Sequence, residues 1–150
     1  MKKIFSNKYF LLLCRIIIGF IFIYAGMEKI SNPAEFAIAI NNYKLFPFSL
    51  INIAALILPW IEVTAGILLI FGIKVKENAF IISSLLGIFT IAIIISLFRG
   101  LNIDCGCFGT LSGTKIGIQK LIENILMLLA GILLIYFGGG SISFNSKSSD

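Results

Sequence analysis

The chain has 150 residues, of which 59% are hydrophobic and 13% charged, with a mean hydropathy of +1.05. One domain of that length cannot bury so much apolar surface in a core of its own, so lipid is its expected solvent. The net charge of +5 gives no support to nucleic-acid binding, and the absence of histidine removes Ser-His and Cys-His nucleophiles, His-ligated haem and the usual zinc sites.

Lys2, Lys3 and Lys8 precede the first apolar run, as in a signal peptide. The run holds Arg15 and continues to Tyr24 with no small-residue cleavage site, so it reads as a retained first helix over 9–26. A lipoprotein site at Cys14 is not expected, because Leu13 stands where a small residue is needed. Three further runs, 50–72, 78–97 and 116–138, reach the length of a membrane span, about 20 apolar residues. The stretch 31–49 is too short and polar to span. Within it Pro33 suits a helix start, and 34–43 reads as a short interfacial helix broken by Asn42 and Pro47. The Gly/Ser-rich stretch 139–150 reads as a disordered tail, leaving 1–138 as one integral membrane domain. With four spans, Lys2, Lys3, Lys8, Lys74 and Lys76 fall on one side, and Lys29, Lys44, Arg99 and Lys115 on the other. The N-terminal lysine cluster places both termini in the cytoplasm of an inner membrane and the 98–115 loop outside.

Charges inside the spans need partners. Arg15 and Glu62 each cost on the order of 2.5–3.5 kcal/mol at mid-membrane. Arg15, Gly19, Phe22, Gly26 and Lys29 share one face of the first helix, and Pro59, Glu62 and Gly66 share one face of the second. Small residues on both faces allow close approach. Antiparallel packing is expected to bring Arg15 and Glu62 to one depth as a buried ion pair, with a structural role favoured over a proton relay. Pro59 beside Trp60 is expected to kink the helix and shape a cavity. Glu123 lies two turns into the last helix with Gln119 and Lys120 one turn before it, which favours a local Lys120–Glu123 pair over a group facing the loop.

The loop before the last span carries Asp104-Cys105-Gly106-Cys107-Phe108-Gly109. Gly106 permits the strained turn of a disulfide across one residue, and strain makes such a bond easily reduced. Asp104 disfavours the thiolate, while Arg99 and a following helix start favour it. An oxidising compartment outside the membrane suits the pair. A redox-active couple, a static clip, free thiols and a subunit-bridging four-cysteine site all fit the spacing. A single-chain metal site does not, since two thiolates and Asp104 leave the ligand set short. Cys14, roughly 20 Å across the bilayer at ~1.5 Å per residue, reads as a small apolar residue.

Taken together, Arg15, Gly19, Gly26-Met27-Glu28-Lys29, Tyr43, Pro47, Leu58-Pro59-Trp60-Ile61-Glu62, Gly66, the Cys-Gly-Cys-Phe-Gly element and Glu123-Asn124 resemble the methylamine-utilisation MauE family, part of the wider DoxX-like group. The resemblance implies an all-α membrane protein: a four-transmembrane-helix bundle, similar in outline to vitamin K epoxide reductase. It links the chain to maturation of the disulfide-rich small subunit of methylamine dehydrogenase, and to DoxX relatives in a thiosulfate:quinone oxidoreductase. Epoxide reductases carry a second cysteine pair beside the quinone, and this chain has only one. Two readings follow. In the first, Cys105 and Cys107 exchange disulfides with an extracytoplasmic thioredoxin-like or maturing substrate protein. Quinone is then the candidate cofactor in a pocket walled by Trp60, Tyr43 and Phe108, and no metal is expected. In the second, the chain is a non-catalytic anchor or assembly subunit and the cysteines are a clip.

Overall fold

A computed structural model describes residues 7–100 and 118–138 of the chain. The described residues form five helices and no strand: α1 (Lys8–Ser31), α2 (Pro33–Asn42), α3 (Phe48–Phe71), α4 (Val75–Phe98) and α5 (Ile118–Phe137). Helices α1, α3 and α4, 24 residues each, are long and apolar enough to cross a membrane, and α5 adds an apolar stretch over Leu121–Phe137. The chain is therefore a multi-pass membrane protein. The cysteine loop and the tail lie outside the described residues.

Helix α1 runs five residues past its expected end, to Ser31. It stops there because Asn32 precedes a proline, which disfavours helical backbone at that residue (φ −133°), and Pro33 then opens α2. Helix α3 ends in a Schellman motif. Gly72 takes the left-handed conformation (φ 76°), its N–H donates to Leu69 O at 3.2 Å, and the Ile73 N–H donates to Leu68 O at 3.0 Å. The Asn78 side chain then donates back to Ile73 O (2.8 Å) and Lys74 O (3.2 Å), fastening a turn of three residues between α3 and α4.

The main contacts pair α1 with α3 and α4 with α5. The α1/α3 interface is set by glycine. Gly19 lies against Gly66 and Ile70, and seven residues further along α1 Gly26 lies against Pro59, seven residues back on α3. The register is constant and antiparallel, and a Cβ at Gly66 would stand 2.8 Å from the Gly19 carbonyl oxygen. Beside this contact, Ile18, Phe22, Ala65, Leu69, Ile82 and Leu134 build the main core. A second cluster, Phe36, Ile40, Ile51 and Ala55, docks α2 on α3, and a third joins Tyr43 to Ala92 and Ile93. Large side chains such as Phe20, Trp60, Phe71 and Tyr136 point outward, which in lipid carries no penalty.

Gly66→Ala is expected to destabilise the bundle by about 1–3 kcal/mol, because the added methyl meets backbone that cannot step aside. Gly87→Ala, where nothing lies within 4 Å, is expected to leave it unchanged. Thermal unfolding of the two variants in detergent micelles checks both.

Candidate functional site

Inside the bundle the strongest polar feature joins α1 to α3. Lys29 and Glu62 are almost wholly buried, at 1% and 2% exposure. The Lys29 ammonium donates to both oxygens of the Glu62 carboxylate, at 2.8 and 2.9 Å. Its remaining face lies over two rings, with Phe36 of α2 and Phe89 of α4 at 4.9 and 5.1 Å from Nζ to ring centroid. One ammonium thus engages four helices. Pro59, also buried, sits one turn before Glu62 and packs its carbonyl against Gly26.

This pairing replaces the expected one between Arg15 and Glu62. In the observed register Arg15 lies opposite Ile70 and Glu62 opposite Ile23, eight residues or about 12 Å apart along the axis. Side chains lean toward the N-terminus of their own helix, so in an antiparallel pair they converge only when each residue lies C-terminal to its partner's level. Lys29 and Glu62 satisfy this across six residues, whereas Arg15 leans away from Glu62. The Arg15 guanidinium instead reaches Ile70 O at 3.5 Å and lies along Gly72, where a Cβ would come within 3.0–3.2 Å of it. A cation there complements the C-terminal end of α3.

The other expected residues are dispersed. Tyr43 is buried and lines an apolar groove of about 380 Å³ between α2, α3 and α4, together with Leu50, Ala54, Phe89 and Ala92. Trp60 lines a different, more open cavity with Thr64 and Asn78. The two aromatics therefore do not wall one pocket. Glu123 accepts a 3.4 Å hydrogen bond from Gln119, one turn before it, while the side chain of Lys120, its expected partner, lies outside the described residues. Cys14 is half-buried with a free thiol. Asp104, Cys105, Cys107 and Phe108 lie outside the described residues. Lys29 was readable as a member of the Arg15 face. Its place two residues from the end of α1 reads as that of a loop cation, which hides its role. Phe36 and Phe89 gave no sequence signal beyond hydrophobicity.

Lys29→Met or Glu62→Met alone is expected to cost about 3–5 kcal/mol by stranding the remaining charge, and the double substitution to recover much of that loss. Arg15→Ala combined with Glu62→Met should show no such recovery. Unfolding midpoints of the singles and doubles in one detergent check the assignment.

The sequence comparisons bear on these elements. The family model for methylamine utilisation protein MauE matches residues 7–137, a range that includes all five helices and the cysteine loop. The chain is 34% identical over 115 residues to methylamine utilization protein MauE of Methylorubrum extorquens, covering 76% of this chain and 59% of that one. It is 30% identical over 95 residues to the Paracoccus denitrificans protein of the same name, covering 63% and 51%. Against the one from Methylophilus methylotrophus it is 34% identical over 84 residues, covering 55% and 44%. These matches span about half the length of the relatives. No solved structure matches the chain. With a family match running from the first turn of α1 to the end of α5, the chain belongs to the methylamine utilisation protein MauE family.

Proposed function

We propose that this protein is a thiol–disulfide exchange protein of methylamine utilisation, built as a four-span bundle in the cytoplasmic membrane. Both termini face the cytoplasm and the Cys105–Cys107 loop faces outward. The observation that carries this reading is the Cys105-Gly106-Cys107 element itself, within the family match, in a chain with no histidine and only one other cysteine. The names of the relatives supply the process.

The exchange balances as follows. A dithiol on an extracytoplasmic thioredoxin-like or maturing substrate protein attacks the Cys105–Cys107 disulfide. A mixed disulfide forms and is resolved by the partner's second thiol, leaving the partner oxidised and Cys105 and Cys107 reduced. Quinone in the membrane then takes two electrons and two protons from the dithiol and leaves as quinol, restoring the disulfide. Run in reverse, the same steps reduce a partner disulfide. The Lys29–Glu62 pair takes no part in these steps and holds α1 to α3.

Two experiments test the proposal. In Cys107→Ser, the Cys105 thiolate is expected to attack the disulfide of an oxidised extracytoplasmic partner and, with no resolving thiol beside it, to accumulate as a mixed disulfide that dithiothreitol releases. If neither single serine variant forms an adduct and the double variant still supports growth on methylamine, the pair is a clip and the protein a membrane scaffold. Separately, a membrane-impermeant maleimide is expected to label the reduced pair in intact cells whose outer membrane is permeabilised. Labelling only after lysis would reverse the orientation.

A further inference from the structure

Helices α3 and α4 pack less closely than α1 and α3 or α4 and α5, and a furrow runs along their seam. Its lining follows α3 from Leu50 through Ile57 to Leu68, and antiparallel α4 from Ala92 through Leu85 to Asn78. The 18 residues from Leu50 to Leu68 make it about 27 Å long, close to the roughly 30 Å of a hydrocarbon layer. Ile57, near the middle of α3, lines both the apolar groove and the cavity of Trp60. The furrow therefore divides near mid-membrane into two halves, each about one leaflet deep. Ile40 and Tyr43 stand across the far end of the groove half, where a partner helix running the whole length would meet them. A chain that enters sideways from one leaflet does not.

The half that holds Trp60 has a volume of about 400 Å³, and Leu56, Ile61, Leu68 and Ile81 are among its walls. Leu56 and Trp60 are exposed on a membrane-spanning helix, so it opens to hydrocarbon. At its other end the Asn78 side chain, which lines the cavity, donates to Lys74 O at 3.2 Å, and this brings Lys74 to the mouth. Lys74 is exposed, and its ammonium has no ion pair or hydrogen bond among the described residues. Its backbone is left-handed (φ 44°), a conformation that glycine or asparagine holds more cheaply, so the turn itself does not call for lysine. Arg15, lying along Gly72, puts a second positive charge behind the same turn. Of the neighbouring charges, Glu77 sits in the first turn of α4, where it complements the helix N-terminus. The stem of Lys76 lies along Gly138 of α5, on the side away from the furrow. An apolar furrow one leaflet deep, open sideways to lipid and ending at an unpaired cation, matches the two parts of a phospholipid, its acyl chain and its phosphate.

We propose that this half of the α3/α4 furrow binds an anionic phospholipid. One acyl chain lies past Leu68, Thr64 and Trp60 toward Ile57, and Lys74 holds the phosphate. The site contains no cysteine and is independent of the exchange reading.

Trp60 is the only tryptophan of the chain and lines the furrow, so its fluorescence reports what lies there. The full chain is reconstituted in phosphatidylcholine bilayers. Part of the lipid is then replaced by phosphatidylglycerol brominated at mid-chain or, in parallel, by phosphatidylcholine brominated in the same way. At equal fractions the brominated phosphatidylglycerol is expected to quench Trp60 as if enriched roughly fivefold, the effect of one lysine on an anionic lipid. Lys74→Gln should abolish that preference and Lys74→Arg should keep it. Lys76→Gln, which removes an equal charge on the α5 side, should keep it as well. Thr64→Phe, which fills the furrow, should bring quenching by phosphatidylglycerol down to that by phosphatidylcholine. Equal quenching by the two lipids in the unaltered protein would show bulk lipid alone and overturn the proposal. A preference that survives Lys74→Gln or Thr64→Phe, or is lost equally in Lys76→Gln, would show attraction to the surface at large and overturn it too. Trp60 shielded from both lipids would put a second copy of the chain or a partner helix in the furrow, with the same consequence.

Discussion

The fold turns on one buried ion pair. A lysine and a glutamate moved from water into hydrocarbon are individually prohibitive, and together they are tolerable only when geometry satisfies both. Here the carboxylate receives two hydrogen bonds from one ammonium, and the remaining face of that ammonium meets two aromatic rings. Because the rings belong to α2 and α4, the charge pair fixes more than the α1/α3 contact. It sets where the short helix lies and how close α4 comes, and these two elements with α3 enclose the apolar groove. Glycine makes this arrangement reachable. Without the close approach at Gly19, Gly26 and Gly66, the helix axes would stand too far apart for Lys29 to be both buried and paired.

Much of this was legible before any coordinates. Hydrophobic run length located the three long helices and the last one to within a few residues, and Pro33 marked the short helix correctly. The small-residue faces of α1 and α3 were identified, and they do form the closest interface. The partner of Glu62 was misassigned for a definite reason. Arg15 and Glu62 both look central when depth is counted from the ends of apolar runs, but counting ignores the direction in which side chains lean. Lys29 stands two residues from the end of α1, where a lysine ordinarily snorkels outward to the interface, and only the antiparallel register shows that it turns inward. The aromatic flanks were invisible for another reason: nothing in a sequence distinguishes a phenylalanine beside a cation from one beside leucine. Trp60 and Tyr43, expected as walls of one pocket, line different cavities.

At the α4/α5 interface the Asn124 amide is buried without a hydrogen-bond partner among the described residues, in contrast with the closed ion pair between α1 and α3. Both interfaces use antiparallel helices and near-complete burial. One closes on itself and the other does not. A polar group that is satisfied within the protein rigidifies, whereas one left unsatisfied in a low-dielectric interior is a place where the sequence departs from what stability alone would select. The Ser83 hydroxyl on α4, beside Gly131, and the Ser96 hydroxyl are likewise buried without a partner among the described residues, so the unsatisfied polar groups gather on the α4/α5 side of the bundle.

The order of the charges along the chain has a bearing on how the protein enters its membrane. The cation is synthesised first, and near the end of α1 it can wait at the water interface with its long stem in lipid. The anion follows at the fifteenth of the 24 residues of α3, too deep and on too short a side chain to reach water. Glu62 can therefore enter hydrocarbon cheaply only once Lys29 is already beside it. In this order the cost of the carboxylate is offset as α3 meets α1, whereas with glutamate on the leading helix the charge would be stranded until its partner emerged.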